Sequence, residues 1–309
     1  MPETSKTMTL RFFNQPWNAQ PWRERNGQFS WLKLTVFLAL FVPGLLTLSD
    51  LLQHHLGARP LTELIRQTGL WTLRFLLISL AITPLRRALH WPRLVLVRRM
   101  VGVAAFFYGL AHLGAYIADQ SFDLGTVASE IALRIYLTIG FTALVLMAIL
   151  AATSTDGMIK RLGGKAWRRL HQVAYGIGVL ALLHYFMQSK LGFGEPLFMA
   201  ALFGWAMGYR AIGWLGGEES APRPWQAAAL SLSVALLTAL GEALYVHFRF
   251  HVDVLRVLKA SLAWQLESRS AWAVLAIGLA IALGSAVRSA IKRHQRRQRG
   301  RVAAIPVPA

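Results

Sequence analysis

The sequence predicts an all-α integral membrane protein, on three observations. Hydrophobic residues make up 55% of the 309-residue chain. Charged residues make up only 15%, against about 25% in an ordinary soluble domain. The apolar residues also gather into eight runs near the roughly 20 residues that a spanning helix needs. The runs are 31–49, 69–85, 101–118, 135–153, 170–187, 196–215, 226–246 and 271–290. A mean hydropathy of +0.43 argues against a disordered chain or a soluble globular enzyme. No strand-like alternation competes with these runs, and no repeat of about 20–50 residues is evident.

Residues 1–29 are polar and irregular, with Pro16 and Pro21, and read as a flexible cytoplasmic tail without a secretory signal. Orientation follows from the 33 Lys and Arg residues. The two tails and the loops 86–100, 154–169 and 210–225, with Lys33 at the membrane edge, hold 24 of them. The opposite loops, 50–68, 119–134, 188–195 and 247–270, hold 8, and Arg74 is the remaining one. Both termini are therefore expected in the cytoplasm. The net charge of +19 is interspersed with apolar runs, which favours a membrane and disfavours nucleic acid. The basic tail from Arg288 to Arg301 reads as an anchor to anionic lipids.

Cysteine is absent. That excludes disulfides, thiolate-held iron–sulfur clusters, thiol nucleophiles and covalent haem attachment. No P-loop and no G-x-G-x-x-G motif is present, so any electron donor is a membrane quinol or a separate reductase. Leu162–Gly163–Gly164–Lys165 reads as a turn in a basic loop.

Ionisable residues inside spans are functional candidates by default. Of nine histidines, three lie in predicted spans: His112 in the third, and His171 and His184 in the fifth. His54, His55, His90 and His294 fall in loops or tails. Glu242, His247 and His251 fall near the outer end of the seventh span without an H-E-x-x-H pattern, and read as interfacial. His112 lies about eleven residues along its helix and His184 about fourteen, depths of roughly 17 and 21 Å. Two neutral imidazoles at matched depth on separate helices are what a six-coordinate b-type haem requires. Gly109, Gly114, Gly176 and Gly178 are expected to leave room for the macrocycle. The competing reading is that both rings hydrogen-bond only to neighbouring helices.

His171 precedes His184 by thirteen residues, roughly 20 Å and some 140° around a straight helix. A kink at Gly176/Gly178 reduces that angle. The third helix offers Arg98–Arg99–Met100 at the matching level, not a histidine. Three readings of His171 stay open: sharing the one haem, helping to bind a flavin or quinone at the inner face, or lying at the interface. Arg74 is expected close to the outer end of the second helix, either snorkelling to the interface or meeting a haem propionate. Trp71 nearby reads as an interfacial belt residue.

Several ordered stretches resemble one family. They are Thr68–Gly69…Ile82–Thr83–Pro84–Leu85–Arg86, Arg98–Arg99–Met100–Val101–Gly102…Leu110–Ala111–His112, Arg134…Tyr136–Leu137–Thr138…Ala152–Thr153–Ser154, and Trp167–Arg168–Arg169–Leu170–His171…His184–Tyr185. Together they resemble the MsrQ (YedZ) family, the haem-binding membrane subunits of bacterial protein-methionine-sulfoxide reductase systems, within the ferric-reductase-like transmembrane superfamily. The likeness spans roughly residues 30–215.

The resemblance implies a six-helix haem-binding bundle over 30–216. To this, residues 217–309 add two C-terminal transmembrane helices and a basic cytoplasmic tail. It also implies a multi-pass protein of the bacterial inner membrane carrying haem b and FMN, with His112, His171 and His184 as haem histidines. Its role is then electron transfer without catalysis of its own, from the quinone pool to a periplasmic molybdopterin-dependent methionine sulfoxide reductase (MsrP-like) that repairs oxidised proteins. The chain has Arg134–Ile135–Tyr136 where the family usually has Arg-Pro-Tyr, a change at a helix start. Two rivals remain: a ferric reductase or oxidase of the same superfamily with another partner, and a proton transporter with a histidine relay. The second has Glu242 as its one acidic residue inside a predicted span.

Overall fold

The computed structural model describes residues 20–24, 27–189, 192–217, 221–263 and 270–303, and among these the architecture is helical. Most of the predicted N-terminal tail lies outside the described residues. The chain divides into two compact units, Met1–Gly57 and Ala58–Ala309.

In the first unit, α1 (Trp31–Ala39) begins at Ser30, whose hydroxyl accepts the Lys33 N–H. Helix α2 (Val42–Leu52) restarts at Pro43, a residue suited to a first helical turn. Together they form one apolar segment of 22 residues.

The second unit contains α3 (Pro60–Ala88), α4 (Val95–Asp119), α5 (Leu124–Leu133), α6 (Ile135–Ala152), the short α7 (Asp156–Leu162) and α8 (Gly164–His171), α9 (Val173–Gln188), α10 (Gly194–Leu215), α11 (Pro224–Phe250), α12 (Val254–Leu262) and α13 (Ser270–Ala303). Helix α3 packs along α4, α9 along α6, and α11 against both α10 and α13. Small residues set the close approaches. A Cβ on Gly102 would lie 3.2 Å from the Ser79 hydroxyl, and one on Gly109 would lie 3.0 Å from Leu144. Large apolar side chains such as Phe107, Ile149, Leu183 and Leu237 point outward, as a lipid-facing surface requires.

Seven helical segments among the described residues are long and apolar enough to cross a membrane. The predicted run 196–215 is helical too, as the 22 residues of α10. Its glycines, Tyr209 and Arg210 leave it less apolar than the seven. It is an inner helix, with Met199, Trp205, Ala206, Tyr209 and Gly213 buried. It lies between the bundle and the C-terminal pair. Trp205, Tyr209, Ala227, Val234, Val274 and Ala282 form one core with Ala88 of α3. The Trp205 indole N–H donates to the Ser231 hydroxyl at 3.0 Å.

Two expectations need correction. Helix α3 starts nine residues before the predicted run, because its first turns are polar but well supported. Pro60 opens it, and Arg66 donates two hydrogen bonds to Glu63. Arg74 is therefore the fifteenth residue of a 29-residue helix, not near its end. The stretch from His171 to His184, expected as one span, is two helices: it breaks at Gln172, directly after His171, and runs unbroken through Gly176 and Gly178.

Near the end of α3, Pro84 has no N–H to give the Leu80 carbonyl. The Arg210 guanidinium supplies the missing donor, at 2.5 Å, and also reaches the Ala206 carbonyl at 3.2 Å. It lies 5.4 Å from the centre of the Tyr175 ring.

Candidate functional site: a histidine pair between four helices

The second unit brings His112 of α4 and His184 of α9 side by side. Their ring centres are 6.2 Å apart and their planes cross at 85°. Each ring is tied to a helix other than its own. The His112 Nδ1 lies 2.8 Å from the Ile65 carbonyl of α3, and the His184 Nδ1 lies 2.8 Å from the Tyr136 carbonyl of α6. A carbonyl only accepts, so Nδ1 carries the proton in both rings. Each Nε2 is then left with a free lone pair. Neither Nε2 makes a hydrogen bond among the described residues.

This arrangement fits a metal between the rings. A ring nitrogen lies about 2 Å from a first-row metal and the ring centre roughly 1.1 Å behind it, so two imidazoles across one ion have centres roughly 6.3 Å apart. The observed 6.2 Å agrees. A carbonyl behind each Nδ1 is also the usual support for a ligating histidine. Leu113, Ile117, Val127, Ile131 and Phe141 line a half-open apolar hollow of about 330 Å³ between α4, α5 and α6, which neither histidine lines.

Of the four glycines expected to leave room for a macrocycle, Gly114 and Gly176 have nothing within 4 Å of an added Cβ, while Gly109 faces Leu144 and Gly178 faces Phe203. The residues that admit the rings are Gly69 and Gly140, on the facing helices. A Cβ on Gly69 would lie 2.8 Å from His112 Nδ1, and one on Gly140 would lie 2.7 Å from His184 Nδ1.

The other candidates lie apart from the pair. His171 stacks on Trp167, with ring centres 3.9 Å apart. Its Nδ1 is 3.0 Å from the Trp167 carbonyl, and its Nε2 is 3.3 Å from the Ser154 hydroxyl. Arg74 pairs with Glu195 at 2.8 Å and lies over Trp71. The Tyr185 hydroxyl donates to the other Glu195 oxygen at 3.0 Å. This cluster joins α3, α9 and α10 one residue from His184. Glu195 precedes the predicted run 196–215 and carries no signal of its own in the sequence. His247 is occupied by the Val252 carbonyl, and His251 caps α11 in a left-handed conformation. No group of three metal-ligating side chains occurs among the described residues.

The sequence is similar to those of known proteins. The family described as ferric reductase like transmembrane component matches residues 68–182, a range that holds His112 and the Tyr136 carbonyl and ends two residues before His184. The protein-methionine-sulfoxide reductase heme-binding subunit MsrQ of Herminiimonas arsenicoxydans is 41% identical over 182 residues, covering 57% of this chain and 82% of that protein. The chain belongs to the MsrQ family. Its MsrQ relative from Rhodospirillum rubrum is 42% identical over 181 residues, 58% of this chain and 87% of the relative. The MsrQ of Azospira oryzae is 37% identical over 187 residues, 60% and 80% of the two chains. No solved structure matches the chain.

Proposed function

We propose that this MsrQ-family chain is the electron-transfer subunit of a methionine sulfoxide reductase system, and that His112 and His184 hold its b-type haem. The observation that carries the reading is the pair itself. Two imidazoles stand at iron-bridging separation, each with Nδ1 fixed by a backbone carbonyl. The haem-binding subunit names of the relatives support the same reading.

A haem held there supplies reversible one-electron chemistry. The chain's own residues do the rest. His112 and His184 ligate through Nε2, and the carbonyls of Ile65 and Tyr136 hold each ring in the ligating tautomer. Arg74, steadied by Glu195, offers its remaining N–H groups to an acidic substituent of the haem. His171, beside the basic segment from Lys160 to Arg169, serves a second cofactor at the inner face, either a further haem or FMN.

In this account the chain lies in the bacterial inner membrane with both termini in the cytoplasm and its basic tail on anionic lipids. It accepts electrons from membrane quinol and passes them to a periplasmic, molybdopterin-dependent methionine sulfoxide reductase of the MsrP type. Residues 30–216 form the haem-binding domain, and residues 217–309 brace it through α10. The test is reconstitution in liposomes with quinol, the purified reductase partner and an oxidised methionine peptide. Sulfoxide reduction that requires this chain, and fails in His112→Ala and His184→Ala, supports the proposal. Reduction independent of the chain refutes it.

A further inference from the structure

The two histidines are supported by the same device used twice. His112 meets the carbonyl of Ile65 and the α-carbon of Gly69, whereas His184 meets the carbonyl of Tyr136 and the α-carbon of Gly140. In each case the glycine stands four residues after the residue that supplies the carbonyl. The geometry of a helix makes that offset meaningful. The carbonyl of residue i already accepts the N–H of residue i+4, and its second lone pair points outward from the helix. The Cα–Cβ bond tilts toward the helix N-terminus, so a side chain at i+4 lies over that lone pair. Glycine at i+4 leaves the carbonyl open to the close approach that these two rings make.

The distances bear this out. An added Cβ would stand 2.8 Å from Nδ1 and 2.9 Å from Cε1 of His112, and 2.7 and 2.8 Å from the same atoms of His184. Both rings are fixed at Nδ1, so neither can swing clear while keeping its bond. On α3 the Thr68 hydroxyl lies 2.6 Å from the Leu64 carbonyl and 3.2 Å from that of Ile65, so the shorter contact is to Leu64 and the imidazole, at 2.8 Å, is the nearer side-chain partner of Ile65.

We infer that Gly69 and Gly140 are positioning residues that tune the proposed haem, acting through the Nδ1–H bonds of His112 and His184. A hydrogen bond from Nδ1 raises the basicity of Nε2 and so favours the ferric state. A methyl at either glycine lengthens that bond, weakens the ligand and raises the midpoint potential. Helix propensity works in the opposite direction, because alanine is favoured over glycine by about 1 kcal/mol in a helix interior. Any loss therefore comes from the ring contact and not from the helix.

This inference rests on the haem reading of the pair. The test uses full-length protein purified with its haem, as wild type, Gly69→Ala, Gly140→Ala and the control Gly204→Ala, an exposed position on α10 whose Cβ meets nothing within 4 Å. Haem retention, the low-spin absorption bands and the midpoint potential are read for each. Gly204→Ala should match wild type. Gly69→Ala and Gly140→Ala should each titrate at a higher potential and hold haem about 10–100-fold more weakly.

Should both variants emerge without haem, reduced wild type labelled with ¹⁵N-histidine and ¹³C-carbonyl isoleucine or tyrosine is measured by solid-state NMR. Dipolar coupling of one Nδ1 to an isoleucine carbonyl and of the other to a tyrosine carbonyl supports the inference, and absence of both couplings overturns it. Wild-type potentials and spectra in both glycine variants, with a bis-histidine signal intact, also overturn it. A wild type with no bis-histidine signal at all refutes the haem reading instead.

Discussion

Replacing Arg210 by methionine removes the side chain that serves a carbonyl orphaned by proline. The guanidinium donates to the Leu80 carbonyl at 2.5 Å and to the Ala206 carbonyl at 3.2 Å, beside the Tyr175 ring. A hydrogen bond from a charged donor contributes about 1.5–3 kcal/mol in a water-soluble protein. In a membrane the unfolded reference also finds partners, and measured values fall to about 0.6–1.7 kcal/mol. The cost of inserting the cation is common to both states and largely cancels. The net loss for Arg210→Met is thus about 1–2 kcal/mol. Pro84→Ala should make that loss smaller, because alanine at that position would return an N–H to the Leu80 carbonyl. In the Pro84→Ala background, Arg210→Met should cost less than about 0.5 kcal/mol, within the error of independent effects. Unfolding in mixed micelles with increasing dodecyl sulfate gives the four stabilities of this cycle. Equal costs in both backgrounds, or no cost in either, would refute the argument.

Two further predictions concern charges. His90 lies between α3 and α4 with its Nδ1 buried and without a hydrogen-bond partner. Burial, with Lys292 and Arg288 nearby, holds its pKa below the usual 6.5. The neutral form is therefore favoured in the fold, so its stabilisation is present above pH 6.5 and lost as pH falls through the folded value. Melting temperatures of wild type and His90→Gln should run parallel from about pH 8 to 7, with wild type alone losing more below about 6.5. Parallel curves down to about pH 5 would contradict this. At the pair, Arg74→Gln removes the cation held by Glu195, whose other oxygen binds Tyr185 beside His184, and should lower the haem midpoint potential. Glu195→Gln removes the opposing anion and should raise it. Shifts of the same sign, or none in a redox titration, would free Arg74 from the proposed site.

The membrane class and the pair are legible in the sequence for different reasons. Long apolar runs report spanning helices directly, and similar depth on two helices of the same direction singles out His112 and His184. What stays hidden is everything supplied by a different helix. The partners of the rings are backbone carbonyls, which any residue has, so Ile65 and Tyr136 leave no chemical signature. Gly69 and Gly140 are visible as residues, but their meaning depends on which imidazole faces them across the bundle. The expected glycines lie beside the histidines in sequence, and Gly114 and Gly176 meet nothing within 4 Å.

Hydropathy also misjudges the start of α3. Thr62, Glu63, Arg66 and Gln67 look like a loop by composition, yet Glu63 accepts from both Arg66 and Gln67 along one helix face. Arg74 consequently reads as too near an end. Its partner Glu195 sits 121 residues away, beyond the reach of any local pattern.

The most direct test of the account is the dithionite-reduced minus oxidised absorption spectrum of the purified chain from haem-replete cells. A b-type low-spin spectrum is expected in wild type, lost or converted to a high-spin form in His112→Ala and in His184→Ala. A frozen ferric sample should give the strongly anisotropic resonance of perpendicular axial imidazoles, as the 85° ring angle requires. A colourless wild type, or a low-spin spectrum that survives both substitutions, would contradict the central claim.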